Sequence, residues 1–406
     1  MIDSDAHTHT VGPLSDVRVI EAGSLIAGPF CGQLLADFGA EVIKVEDPEA
    51  GDPMRGWGRT TPDGVPLTWP VIARNKKSVT CDLRTEQGQE IMRELVRGAD
   101  VLVENFRPGT LERWGLGWER LHELNPGLVM VRVTGYGQDG PYAGRAGFGS
   151  IGEAMGGIRH LTGDPDRPSS RAGISLGDSL AGTFSALGTM MALHARRRTG
   201  RGQVVDTAIY ESVLSFMEAL LPEWELAGHR RERSGSILPG IAPSNAYPSA
   251  EGAEIIIGAN RDTVFERLCA AMGDPGLATD ERFANHRARG ENQEELDERI
   301  ADWTRTLPTD DALQALHDAG VPAGRVFQAP DMLRDPHFTA REAIVRRMHP
   351  VLGEVPMQNV VPRLSETPGQ VRSVGPELGE HNTQVYREVL GADDDQIEHW
   401  RKQQVI

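Results

Sequence analysis

The sequence predicts an α/β protein: an open, mostly parallel sheet with helices on both faces, joined to a smaller α/β domain. Three observations carry that expectation. Across the first 135 residues, short apolar runs alternate with segments of helical period, the pattern of βαβ units. A polar stretch rich in Gly and Pro, 228–245, then interrupts the chain as linkers do. Beyond it a second, shorter strand–helix series begins, and 406 residues suffice for two domains with separate cores.

The elements follow in order. Val17–Glu21 reads as the first strand, Ala27–Phe38 as a helix with Leu34, Leu35 and Phe38 on one face, and Glu41–Val45 as the second strand. Val79–Leu83 is the third strand. Gln87–Arg97 is a helix presenting Ile91, Leu95 and Val96. Val101–Glu104 and Leu128–Thr134 are strands, with short helices around Leu111–Trp114 and Trp118–Leu124 between them. A long helix from Ser179 to Arg198, a strand at Val204–Asp206 and a helix from Thr207 to about Ala227 close this series. The second series has a strand at Glu254–Ile257 and helices at Arg261–Met272, Gln293–Arg305 and Thr309–Ala319. The expected organisation is a Rossmann-like domain over 14–227, completed by 350–406, a linker at 228–245, and a small domain over 246–345. Ligands of such sheets sit at the carboxyl ends of the strands. There the chain places Asn105-Phe106-Arg107-Pro108-Gly109 and Gly135-Tyr136-Gly137.

A net charge of −17 argues against nucleic acid and against an anionic membrane surface as partners. No run of about eighteen apolar residues is present to span a bilayer. Met1–Thr10 is polar and acidic, without a signal-peptide core. Cys31, Cys81 and Cys269 are widely spaced, as reduced core thiols of a cytoplasmic protein are. His7 and His9 read as part of a polar tail with no cysteine or further histidine near them, so no metal is expected.

The segment Gly173-Ile174-Ser175-Leu176-Gly177-Asp178-Ser179 sets one acid among glycines at the mouth of the long helix. Leu180, Phe184, Leu187 and Met191 recur at helical spacing after it. Asp178 therefore reads either as an N-cap or as a carboxylate kept clear for chemistry. Gly182 inside the helix costs about 1 kcal/mol against Ala, which points to a close packing partner. Gly135-Tyr-Gly-Gln-Asp-Gly140 has the spacing of a dinucleotide fingerprint, but Pro141 follows where a helix would have to open. Its glycines are expected to let the backbone approach a ligand.

Ala27-Gly28-Pro29, Gly39-Ala-Glu-Val-Ile-Lys-Val-Glu46, Asn75-Lys76-Lys77-Ser78, Val103-Glu-Asn-Phe-Arg-Pro-Gly109, Gly115-Leu-Gly117, Gly177-Asp178-Ser179, Gly200-Arg-Gly-Gln203 and Leu378-Gly-Glu-His381 together resemble the class III coenzyme A transferases. That family includes formyl-CoA and carnitine CoA-transferases and the 2-methylacyl-CoA racemases. The resemblance implies that Asp178 is the nucleophile, forming an acyl anhydride and then an aspartyl-CoA thioester. It implies coenzyme A thioester as substrate with no permanently bound cofactor, and a homodimer of interlinked chains. Asn75, Lys76, Lys77, Asn105, Phe106, Arg113 and Tyr136 are the CoA-binding residues it implies. Arg55, Arg74 and Arg107 complete a cationic set for the CoA phosphates. Ser24 and Ile26 stand where formyl-CoA transferases carry His and Gln. Ser234–Gly240 corresponds to a glycine-rich loop that closes over the nucleophile in some members, but carries two glycines.

The closest alternative is a racemase, which needs a Gly-His-Asp triplet for proton transfer. Here the triplet is Gly147-Phe148-Gly149, and neither side chain carries a proton. A non-catalytic CoA-binding protein is a third reading. Leu221-Pro222-Glu223 through Gly240-Ile241-Ala242-Pro243-Ser244-Asn245 is similar to members using a small dicarboxylate such as malate, citramalate or itaconate as acceptor, with succinyl-CoA as donor. Arg145, Arg171 and Arg233 are candidates for its second anchor.

Overall fold

The computed structural model describes residues 12–61 and 64–406; His7 and His9 lie outside the described residues. Six parallel strands form the main sheet: β1 (Arg18–Glu21), β2 (Glu41–Glu46), β3 (Lys76–Thr80), β4 (Val101–Glu104), β5 (Val129–Thr134) and β6 (Val204–Ala208), in the order β3-β2-β1-β4-β5-β6. Chain direction through the sheet reverses its march between β1 and β4, which pair Val19 with Val101. The crevice beyond their carboxyl ends is the switch point where such folds bind ligands.

Both faces of the sheet are covered, so its strands read as near-continuous apolar runs. Val19, Val42, Val101, Val129 and Val131 point to one face, under the helices Ala27–Asp37 and Leu176–Thr199. Ile20, Ile43, Leu102 and Met130 point to the other, under the helix Glu86–Arg97. This is strand alternation with a core on each side.

The third strand begins three residues earlier than its apolar pattern suggested. Lys76 and Ser78 hide it, because their polar atoms are satisfied inside the sheet. Lys76 Nζ lies 2.8 Å from Glu21 Oε2 and donates to the carbonyl of Pro29 at 2.7 Å. Ser78 Oγ donates to Glu46 at 2.6 Å. Lys44 reaches Glu21 at 3.1 Å and Asp52 at 2.7 Å. Two buried lysines thus face two buried carboxylates. Removing one member of such a pair costs about 3–5 kcal/mol.

The free edge of β3 is covered by the chain's end, which blunts a surface that would otherwise pair with other strands. Thr80 N–H donates to Asn382 Oδ1 at 2.8 Å, and Tyr386 donates its hydroxyl to Thr80 O at 2.6 Å. His381 Nδ1 accepts from Ser78 N–H at 3.2 Å and so must be unprotonated. Burial holds this imidazole below its ordinary pKa, with Lys77 adding to the effect and Glu380 opposing it. The unfolded chain therefore takes up a proton near pH 6.5 that the folded chain refuses, and stability falls as pH drops below that value. In urea titrations the wild type is expected to lose stability on acidification more steeply than His381→Gln; equal slopes would reject this assignment.

Residues up to Arg159, Ala172–Leu220 and Thr339–Ile406 form one compact unit, and His160–Arg171 with Leu221–Phe338 a second. The first also contains an antiparallel hairpin, β10 (Ile344–His349) and β11 (Gly353–Gln358). The second is built on the antiparallel order β7 (Ser244–Pro248), β8 (Glu254–Gly258), β9 (Ala323–Arg325), with Tyr247, Ile257, Phe265, Phe283 and Ile300 in its core. The segment expected as one helix over 207–227 is the end of β6 followed by two helices, Ile209–Leu214 and Leu220–Ala227.

The long helix turns a different face inward than its large apolar residues suggested. Gly177, Ala181, Gly182, Ser185, Thr189 and Ala192 are buried, whereas Leu187 is 48% and Met191 62% exposed. Close approach selects the small residues. A Cβ on Gly182 would stand 2.8 Å from the carbonyl oxygen of Ala27, and one on Gly188 2.7 Å from Val205.

Candidate active site at the sheet switch point

Two cavities open at the carboxyl ends of the strands, both within the first unit. The first, about 240 Å³, is lined by Gly23, Asp47, Asp52, Leu83, Arg84, Phe106 and Trp114, among others. The second, about 290 Å³, is lined by Ile26, Asn105, Arg107, Tyr136, Arg145, Phe148 and Asp178, among others. Ser24 and Phe106 line both. An elongated ligand passing over Phe106 would occupy the two together.

The loops that build the second cavity are tied to one another. Asn105 bridges the ends of β1 and β4: its Oδ1 accepts from Ser24 N–H at 2.8 Å, and its Nδ2 donates to Ser24 O at 2.7 Å. Gly23 and Gly28 are bare where this amide packs. Each end of the amide keeps one further hydrogen-bonding valence. Glu104 accepts from Phe106 N–H at 2.8 Å and from Arg132 Nε at 2.6 Å. Burial pushes the Glu104 carboxyl up, and Arg132 opposes this. Phe106 meets Trp114 edge-on at 5.3 Å between ring centres.

After β5 the glycines serve a backbone crossing. A Cβ on Gly135 would lie 2.8 Å from Gly147 Cα, and one on Gly147 would press on the Tyr136 ring at 3.3 Å. Gly135 and Gly147 are thus bare for each other's backbone, and both line the second cavity. Tyr136 meets Tyr142 edge-on, and the Arg145 guanidinium stacks 3.6 Å over Tyr142.

Asp178 is the third residue of the helix Leu176–Thr199, whose N-cap position is Ser175. The cap reading of Asp178 is thereby corrected: the helix begins three residues earlier than the expected Ser179. An acid in the first turn still benefits from the helix dipole. Asp178 is half-buried, and its carboxylate abuts Gly149, where a Cβ would come within 2.1 Å of Oδ2.

The cavity gathers Asp178, Asn105, Phe106 and Tyr136. Of the other expected residues it gathers Arg107 and Arg145, but not Asn75, Lys76, Lys77, Arg113, Arg55 or Arg74. Lys76 is fully buried on Glu21 and lines neither cavity. Asn75 is a turn residue at φ 63°, spent on Asp37, Gln370 and the backbone N–H groups of Arg372 and Ser373. Lys77 pairs with Glu41 at 2.7 Å. Arg55 and Arg74 are likewise held by Glu46 and Asp37. Arg113 is exposed and donates to Thr110 Oγ1 at 3.0 Å, adjacent in sequence to Trp114 of the first cavity. Arg107 is exposed and lines the second cavity beside Arg145. Arg84, which the motifs did not single out, lies at the first cavity with Asp47 and Asp82 as partners. Arg233 belongs to the second unit, where it donates to the carbonyls of Asp164 and His160. Ser234–Gly240 also belongs to that unit, its Ser234 hydroxyl donating to Ile237 O at 2.7 Å. The three cysteines are buried thiols raised to about 12 by burial. No helix is long and apolar enough to cross a membrane among the described residues.

Comparison with known proteins gives this geometry its chemical context. The profile of CoA-transferase family III matches residues 14–382. Succinyl-CoA–D-citramalate CoA-transferase of Chloroflexus aurantiacus is 61% identical over 394 residues, covering 97% of this chain and 98% of that protein. The beta subunit of succinyl-CoA–L-malate CoA-transferase from the same organism is 42% identical, covering 98% and 99%. A crystal structure of a CAIB/BAIF family protein from Brucella suis superposes with a TM-score of 0.83 at 36% identity, over 93% of this chain and 100% of that one. With the fold, the switch-point cavities and the near full-length match in agreement, this chain belongs to CoA-transferase family III and is a CoA-transferase.

Proposed function

We propose that the protein moves CoA from succinyl-CoA to a small dicarboxylic acid of the citramalate or malate type, with Asp178 as covalent nucleophile. The observation that carries the reading is a carboxylate and two arginines, Arg107 and Arg145, around one cavity at the switch point. The 61% identical citramalate transferase supports the substrate pair.

The steps are acyl substitutions. Asp178 attacks the thioester carbonyl, forming a mixed anhydride and expelling CoA thiolate. The thiolate attacks the Asp178 carbonyl of that anhydride, giving aspartyl-CoA thioester and free succinate. The acceptor carboxylate attacks the aspartyl thioester, regenerating an anhydride and thiolate. The thiolate then takes the acceptor's acyl carbon and frees Asp178. Activation energy of the thioester is conserved at each step, and covalent catalysis divides one difficult exchange into four easier ones. Gly149 in place of an acid, with exposed Phe148 beside it, supplies no acid–base pair for racemisation.

Arg145 is the anchor for the acceptor's distal carboxylate. Its guanidinium is fixed over Tyr142 and has no carboxylate partner among the described residues. Against succinyl-CoA, citramalate and malate are expected to outrun acetate and propionate in kcat/KM. Arg145→Gln should raise KM for the dicarboxylates by about 10–100-fold, the worth of a charge-assisted hydrogen bond. Its KM for acetate should not move. A variant that weakens both acceptor classes equally sinks this role for Arg145.

The apolar surface left outward by the long helix supports a homodimer of interlinked chains. Leu187, Met190 and Met191 on that helix are exposed, as is Phe216, and exposed apolar residues that cluster mark association surfaces. Light scattering at micromolar concentration is expected to give twice the chain mass; a monomer contradicts it.

A further inference from the structure

We infer that Glu153, neutralised by Arg159, is a positioning residue that holds the nucleophile's turn in place. The inference rests on Asp178 being the nucleophile. A helix leaves its first backbone N–H groups without intrahelical acceptors. In the helix Leu176–Thr199 the Gly177 N–H, one residue before Asp178, donates to Glu153 Oε1 at 3.2 Å. The capping acceptor thus comes from a separate helix, Gly149–Met155.

That helix meets the nucleophile's turn with one face. Gly149 and Glu153 are four residues apart and therefore on the same side. Gly149 provides the space occupied by the Asp178 carboxylate, and Glu153 takes the preceding N–H. Gly177 has no room for a side chain between them: a Cβ would lie 3.1 Å from Glu153 Cγ and 3.1 Å from Gly149 O.

Glu153 is 2% exposed, and a buried carboxylate needs a counter-charge. After the helix ends, Gly157 turns the chain at φ 100°, and Arg159 Nε comes back to Glu153 Oε2 at 2.9 Å. Arg159 neutralises one oxygen while the other grips Gly177. Neither residue lines the cavity, and the pair acts through the backbone of Gly177.

The test uses the full-length enzyme with succinyl-CoA and citramalate. Glu153→Ala should lower kcat by about 30–100-fold, as a small misplacement of a reacting group does. KM for succinyl-CoA should stay within about two-fold, because uniform binding is untouched. Glu153→Gln keeps an acceptor for Gly177 N–H and should recover to within about five-fold of wild type. The second readout is formation of the CoA adduct on Asp178 from succinyl-CoA alone, followed by protein mass in folded enzyme. It should slow in Arg159→Gln and in Glu153→Ala in step with kcat. Wild-type adduct formation with unslowed variants overturns the positioning role. Equal losses in Glu153→Gln and Glu153→Ala overturn it too. A wild type that forms no adduct while turning over overturns the nucleophile reading itself, and this inference with it.

Discussion

Asp178→Ala is expected to lose CoA transfer by on the order of 1,000-fold or more while remaining folded. The two halves of that expectation have separate causes. The carboxylate lies in the first helical turn, where an acid contributes about 0.3–1 kcal/mol through the helix dipole. Ala is a better helix former than Asp by several tenths of a kcal/mol, so the net change in stability is small. The rate loss is large because no other carboxylate lines the same cavity among the described residues. Every covalent intermediate in the cycle is an anhydride or thioester of Asp178, so the variant has no alternative first step. With succinyl-CoA alone, wild-type enzyme should release one succinate per active site and gain the mass of CoA less one water; the variant should do neither. Hydroxylamine present during turnover should convert Asp178 to its hydroxamate. An Ala variant that retains a tenth of the wild-type rate would remove Asp178 from the mechanism.

How much of this was legible in the residues depended on how local each cause was. The alternation of apolar runs and helical segments located five of the six sheet strands, because a strand buried on both faces shows in its own composition. The start of β3 was not legible. Lys76 and Ser78 look solvent-facing until Glu21 and Glu46 are brought alongside by neighbouring strands. Pairing between elements likewise ties Arg55, Arg74, Lys76 and Lys77 to carboxylates, which for all but Arg55 lie far away in sequence. Asn105 was placed at the site, but its tie to Ser24 needs the adjacency of β1 and β4, which sheet order alone supplies. The long helix misled through its periodicity. Large residues at helical spacing ordinarily mark the core, yet here the small residues do, because Ala27 and Val205 approach too closely for anything larger. Glu153 carried no signal beyond lying in a short segment after Gly149. Its role appears only when two helices meet.

Gly149→Ala is the sharper test of the geometry, because activity and stability should part company. The added methyl would lie 2.1 Å from Asp178 Oδ2, 2.6 Å from Cγ and 2.9 Å from Oδ1. Real contacts of that kind do not occur, so the carboxylate has to swing aside. Asp178 is half-buried at a cavity and has space into which to swing; the backbone need not move. A carboxylate displaced by about 1 Å loses on the order of 100-fold in rate, and kcat should fall by that amount with KM for succinyl-CoA little changed. Stability should not follow. Gly149 is the first residue of its helix and does not require a positive φ, so Ala gains up to about 1 kcal/mol of helix propensity there. Combining the substitution with Asp178→Ala separates the two effects. With no carboxylate to displace, Gly149→Ala should raise the melting temperature more in that background than in the wild type, a coupling that neighbouring residues show when one occupies the other's space. A Gly149→Ala enzyme within three-fold of wild-type kcat would mean that Asp178 does not react from the position it holds against Gly149. Gly149 would then merely be the residue that denies a racemase its acid. If the loss is seen, the same bare position that removes proton-transfer chemistry is what makes room for acyl transfer.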